Sequence, residues 1–161
     1  METASNQGTS RIEARLAEMG LTLPAVAAPV AAYVPAVISG NYVYTSGQLP
    51  FIDGKLTVTG KVGAEVSAEE AKALAATSGL NAIAALKSVI GDLDRVTHIV
   101  KVVGFVASDP SFSGQSGVIN GASELFGAVF GDAGVHARSA VGVAVLPLNS
   151  PVEVELIAQF Q

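Results

Sequence analysis

The chain has 161 residues, half of them hydrophobic and only 14% charged, with a formal net charge of −5 and no cysteine. That length fits one domain with a sizeable core, and the absence of cysteine excludes disulfides, thiolate chemistry and cysteine-ligated zinc. The acidic balance, with no basic run, disfavours nucleic acid as a partner, because non-specific binding needs several phosphate contacts.

The two histidines, His98 and His136, have no metal-ligand spacing, so no metal is expected. No phosphate-binding loop G-x-x-x-x-G-K-[ST] and no G-x-S-x-G elbow is present, and no cofactor is expected. The leading residues METASNQGTSRIEARL lack an apolar run, and no stretch reaches 18 continuous apolar residues. A soluble, cytoplasmic protein with no membrane partner is the expectation. The low charge has two readings. One is simply an Ala/Val/Gly-rich chain. The other is a surface partly hidden in a permanent oligomer interface.

In chain order, residues 1–9 are polar and expected to fray. Ser10 is an N-cap for a short helix, Arg11 to Met19, with Ile12 and Leu16 on one face and Gly20 as the stop. Residues 21–32 carry two prolines and read as an extended connector. Tyr33 to Ile38 and Tyr42 to Gln48 read as strands around a Ser39-Gly40-Asn41 turn, stopped by Pro50. Asp53-Gly54 predicts a hairpin between Phe51 and the run Leu56 to Val58. Ser67 and Glu70 form a capping box for a helix over Ala68 to Ile90, ended by Gly91. Asp94 to Ala107 reads as a strand, a second core helix runs from about Val118 to Phe130, and two strands close the chain at Arg138–Leu146 and Val152–Phe160. The pattern predicts an α+β domain: one mixed six-stranded sheet with two helices on one face.

The last strands carry the most information. Val141, Val143 and Val145 alternate with Ala140, Gly142 and Ala144, which share a face with Arg138. The valine face suits helix packing; the Ala/Gly face suits close approach of another subunit. The five-residue loop 147–151 is too short for a parallel crossover, so the two strands run antiparallel. Arg138 and Glu153 are then expected at opposite ends of the sheet, on the order of 20–25 Å apart at about 3.4 Å per residue. A site using both would lie between subunits.

Each candidate also has a plain structural reading. Arg138 is the only cation after Lys101 and could be a solvated strand edge. Glu153 with Glu155 could be an acidic strand face or an acid/base pair. Asn120 suits a cap or surface position, and Tyr33 half-buried packing. Ser46-Gly47 inside a strand marks a bulge or a place where a ligand meets backbone. His136 could titrate near neutrality or simply pack.

Four segments together resemble the RidA/YjgF family, of chorismate-mutase-like fold. They are YVPAVISGNYVYTSGQLP, VIGDLDRVTHIVKVVGFVAS, VINGASELFGAVFG and HARSAVGVAVLPLNSPVEVELIA, in the family's order over residues 32–160. The resemblance implies a family-like domain at 32–161 behind an N-terminal extension, 1–31, that holds the short helix at 10–20. It implies a homotrimer with a barrel-like core and a ligand pocket at each subunit interface. It also implies hydrolysis of reactive 2-imino acids, products of pyridoxal-phosphate dehydratases, to 2-keto acids and ammonia. Arg138 then matches the arginine that grips the substrate carboxylate, and Glu153 the acidic residue that activates water. Tyr33, Ser46, Gly47, Asn120 and Ala140 match substrate-binding positions. Val145 and Leu148 stand where relatives carry basic residues, so the pocket rim is less cationic. A non-catalytic carboxylate-binding protein on the same trimer is the alternative function, and an endoribonuclease a weaker one.

Overall fold

A computed structural model describes residues 10–26 and 32–161. The frayed leader expected at 1–9, and residues 27–31 of the expected connector, lie outside them. Three helices and five strands are present among the described residues: α1 (Arg11–Glu18), β1 (Ala36–Ser39), β2 (Tyr42–Thr45), α2 (Ala68–Ile90), β3 (Val96–Ala107), α3 (Gln115–Phe130), β4 (Ala137–Val143) and β5 (Val152–Phe160).

The sheet order is β1-β2-β5-β3-β4. β3 and β4 are parallel, joined by the α3 crossover, and every other pairing is antiparallel. On β3 and β5 the inward residues Val102, Val106, Val152, Val154, Leu156 and Ala158 are buried beneath α2 and α3. α2 is long and apolar enough to cross a bilayer. Its Ala71, Leu74, Ala75, Ala82, Ile83 and Leu86 instead belong to the common core. α3 crosses α2 so closely that a Cβ on Gly121 would overlap the Lys72 carbonyl, which only glycine allows.

The sheet has five strands, not the expected six. The Asp53-Gly54 turn forms, but only one bridge, Ile52 to Lys55, joins its arms. Turn chemistry is local, whereas a strand needs a partner along its length, and none runs beside this segment. β1 begins at Ala36 rather than Tyr33, after Pro35. β4 ends at Val143 rather than Leu146.

The third helix is α1, and it is part of the core. Ile12 and Leu16 are buried, and Arg15 donates from Nη1 to the Val129 carbonyl at 2.9 Å. Its N-terminus is held by Asp94 from across the chain. That carboxylate accepts from the Ser10 hydroxyl and the Arg11 and Ile12 amides, each at 2.9 Å. Desolvation pushes the Asp94 carboxyl up, but the Ile12 and Arg11 amides and the Ser10 hydroxyl outweigh it and hold it below its ordinary value. Asp94→Ala is expected to destabilise the protein by about 1–2 kcal/mol, as a lost N-cap does. Denaturant unfolding measures it. The Asp94 contribution is present above the ordinary carboxylate range and is lost as pH falls through the lowered value.

The faces of β4 are the reverse of expectation. Arg138, Ala140 and Gly142 pair with Val102, Gly104 and Val106 of β3, the residues under the helices. Ser139, Val141 and Val143 lie on the uncovered face. The small residues make room for α3: a Cβ on Gly142 would press on the Gln115 side chain, and one on Gly104 on Ile119. The uncovered face mixes charged residues, Lys101, Glu153 and Glu155, with apolar ones. Val37, Tyr44 and Val141 are all exposed there, beside the half-buried Val103, Phe105 and Ile157.

Candidate functional site

Two groups of polar residues form, one on each face of the sheet. The first is built by α3 and β4. Ser116, Asn120 and Ser123 stand at helical spacing, so they form one stripe, and β4 runs beside it. Arg138 Nη1 donates to Asn120 Oδ1 at 2.8 Å and to Ser123 Oγ at 3.1 Å, and Nη2 donates to the Ser116 carbonyl at 3.3 Å. A guanidinium has five N–H groups, so three are engaged. The Nε–H and the other Nη2–H have no partner among the described residues. Nε and Nη2 form one edge of the guanidinium, the edge that can take both oxygens of a carboxylate. Ala140, two residues on, presents only a methyl group on the same face.

The second group is built by the end of β2 and the start of β5. Gln48 and Val154 exchange backbone hydrogen bonds at 2.8 and 3.0 Å, which brings Gly47 onto the Glu153 side chain. A Cβ on Gly47 would overlap the Glu153 carboxylate. Ser46 turns the other way: its amide donates to the Pro35 carbonyl at 2.8 Å and its hydroxyl to the Val34 carbonyl at 2.6 Å. That ties down the segment whose neighbour, Tyr33, is 67% exposed. Glu153 is half-buried, and desolvation, with the like charge of Glu155 second, pushes its carboxyl above the ordinary value. A carboxyl so shifted both accepts and returns a proton more readily near neutrality.

Seven residues singled out from the sequence thus fall into two sets: Arg138, Asn120 and Ala140 in the first, Glu153, Gly47, Ser46 and Tyr33 in the second. The sets do not meet in one chain. The expected placement of Arg138 and Glu153 at opposite ends of the sheet is corrected. Arg138 is level with Val102 and Glu153 with Phe105. Three residues along β3 and two strand spacings across give a backbone separation of about 14 Å. They are kept apart by β3, which lies between their strands, and by facing opposite sides of the sheet, since their β3 partners are three residues apart. Ser116 and Ser123 were not foreseen. The signal for Ser123 was its place three residues after Asn120, on the same helix face.

Gly47→Ala is a selective probe of the second set. Only the end of a flexible side chain occupies the space a methyl would take, so the fold is expected to hold, with unfolding free energy changed by less than about 1 kcal/mol. The Glu153 carboxylate must move, and any reaction that uses it should slow by about 10–100-fold. Steady-state kinetics beside a thermal melt separates the two effects.

A family model described as "YjgF/chorismate mutase-like, putative endoribonuclease" matches residues 13–160. Protein TCP17 of Trypanosoma cruzi is 45% identical, over 94% of this chain and 95% of its own. The 2-iminobutanoate/2-iminopropanoate deaminase of Escherichia coli K12 is 34% identical, over 81% of this chain and 89% of its own. The crystal structure of Atu1372 from Agrobacterium tumefaciens, a protein described as of unknown function, superposes with a TM-score of 0.87 at 47% identity, covering 93% of each chain. The match beginning at residue 13 takes in most of α1.

Proposed function

Because this chain belongs to the YjgF/RidA family, we propose that it hydrolyses 2-imino acids to 2-keto acids and ammonia at a pocket completed by a second copy of the chain. One observation carries the proposal. Each chain holds an arginine with an open carboxylate-binding edge and, on the opposite face of its sheet, a carboxyl shifted toward neutrality with no reaction partner beside it. Two half-sites that cannot meet within a chain can meet between chains. The exposed apolar residues on the uncovered sheet face, Val37, Tyr44 and Val141, support such an assembly, since permanent interfaces bury apolar surface. A homotrimer with these faces inward is the form we propose, and the cytoplasm its setting.

In the proposed reaction Arg138 fixes the substrate carboxylate, and with it the imine carbon. Glu153 of the neighbouring copy takes a proton from water as the oxygen attacks that carbon. It delivers that proton to the nitrogen, giving a carbinolamine; the same carboxylate then takes the proton of the new hydroxyl and passes it to the nitrogen as the C–N bond breaks and the C=O bond forms, releasing ammonia. Tyr33 covers the ligand from the exposed rim. Ser46, Gly47 and Ala140 line it, and Asn120 holds the arginine. Imines hydrolyse unaided in water, so the acceleration asked of these groups is modest.

Val145 and Leu148 are 63% and 68% exposed, and this apolar rim favours a second reading, a carboxylate-binding protein without turnover. The test is ammonia release from imino acids generated in situ. Acceleration by the wild type and its loss in Arg138→Ala is the expected result. No acceleration over a broad panel, with keto-acid binding retained, would leave the second reading. RNA cleavage that disappears in Arg138→Ala would instead favour a nuclease.

A further inference from the structure

His136 and Ser123 lie inside the family-like segments but have no part in the proposed chemistry, yet they form a continuous hydrogen-bond chain that ends on Arg138. His136 Nδ1 lies 2.6 Å from the Gly134 carbonyl, and His136 Nε2 lies 2.8 Å from Ser123 Oγ. A carbonyl only accepts, so Nδ1 carries a proton, which in the neutral ring makes the Nδ1–H tautomer. Nε2 is then an acceptor, and the Ser123 hydroxyl donates to it. That fixes the hydroxyl rotor and leaves the Ser123 lone pairs for the Arg138 Nη1–H at 3.1 Å. The imidazole is itself held by its edge against the Phe126 ring, with centroids 5.9 Å apart and planes at 80°.

The pair has the spacing of a serine nucleophile and its base, but the placement is wrong for that role. Ser123 sits on the Nη1 side of the guanidinium, and the open edge is Nε–Nη2. A carboxylate on that edge has the guanidinium between it and the hydroxyl. The function left to the chain of hydrogen bonds is orientation. Arginine carries several rotatable bonds, and a fork is useful only when its plane is fixed.

We infer that Ser123 and His136 are positioning residues that hold the Arg138 guanidinium so that its Nε–Nη2 edge faces the ligand, and so set the affinity for carboxylates without touching them. This rests on the reading of Arg138 as the carboxylate anchor. Removing either residue weakens the carboxylate grip in the ground state and the transition state alike, so KM rises while kcat holds.

The test is binding of 2-oxobutanoate and of its methyl ester by calorimetry, with steady-state kinetics, on five variants of the full chain. Ser123→Ala and His136→Phe, which keeps the ring against Phe126, should each weaken 2-oxobutanoate binding about 5–20-fold. The ester should be affected less than twofold, and kcat should stay within about twofold. The double variant should be no worse than the weaker single, because the two act in series. His136→Gln, which keeps an acceptor for Ser123, should restore most of the affinity. Multiplying effects in the double variant, or equal weakening of acid and ester, would overturn the inference as a general packing effect. So would wild-type affinity in both single variants while Arg138→Ala no longer binds. If Arg138→Ala itself keeps wild-type affinity for 2-oxobutanoate, the anchor reading fails first, and this inference with it.

Discussion

Arg138→Ala is expected to weaken binding of a 2-keto acid by about two to three orders of magnitude, the usual loss when one partner of a desolvated charge pair is removed. The fold should be little affected. Arg138 lies on an edge strand, half-buried, and the groups it touches are Asn120, Ser123 and the Ser116 carbonyl. Ser116 is exposed and Asn120 and Ser123 are half-buried, so water can replace the lost bonds. Arg138→Lys should recover little affinity, because an ammonium keeps the charge but cannot supply two parallel N–H bonds. Calorimetry with the keto acid decides it. Near-wild-type affinity in the alanine variant would remove Arg138 from the site.

Glu153→Gln is expected to lower kcat by about 10²–10⁴-fold, the span that general acid–base catalysis contributes. Affinity for the keto acid should change little. The pH profile adds a second check. Burial, then the neighbouring Glu155, raises the Glu153 carboxyl, so as pH falls the ionised base should be lost earlier than for an ordinary glutamate. The rate therefore declines on the acid side earlier than an unperturbed glutamate would allow. Glu155→Gln removes the like charge, lowers the Glu153 value and should move the acid limb of kcat/KM to lower pH. An acid limb unmoved by Glu155→Gln and still present in Glu153→Gln would assign it to another group.

What could be read without the structure follows from how local each signal is. Helix α2 was legible at both ends because a cap is local: the Ser67 hydroxyl accepts from the Glu70 amide, and Gly91 closes the last turn. The alternation on β4 gave two faces but not which of them is covered. Ala140 and Gly142 suit a helix overhead as well as a subunit, and only the α3 crossover to β4 decides it. The distance between Arg138 and Glu153 was misjudged for a related reason. A short loop shows that two strands run antiparallel, not that they are neighbours, and β3 enters between them. Asn120, Ser46 and Gly47 were found by motif. Their geometric partners, Ser123 beside the arginine and the Gln48–Val154 pairing that sets Gly47 on Glu153, depend on contacts distant in sequence.

In the proposed reaction Arg138 of one copy works with Glu153 of another. Mixing tests it most directly. Arg138→Ala and Glu153→Gln, each inactive alone, are unfolded together in equal amounts and refolded. Random assembly pairs an intact Arg138 with an intact Glu153 at about one interface in four. The mixture is expected to regain about a quarter of wild-type imine hydrolysis. A mixture no more active than its two components, with assembly of the mixed oligomer verified by mass, would contradict it.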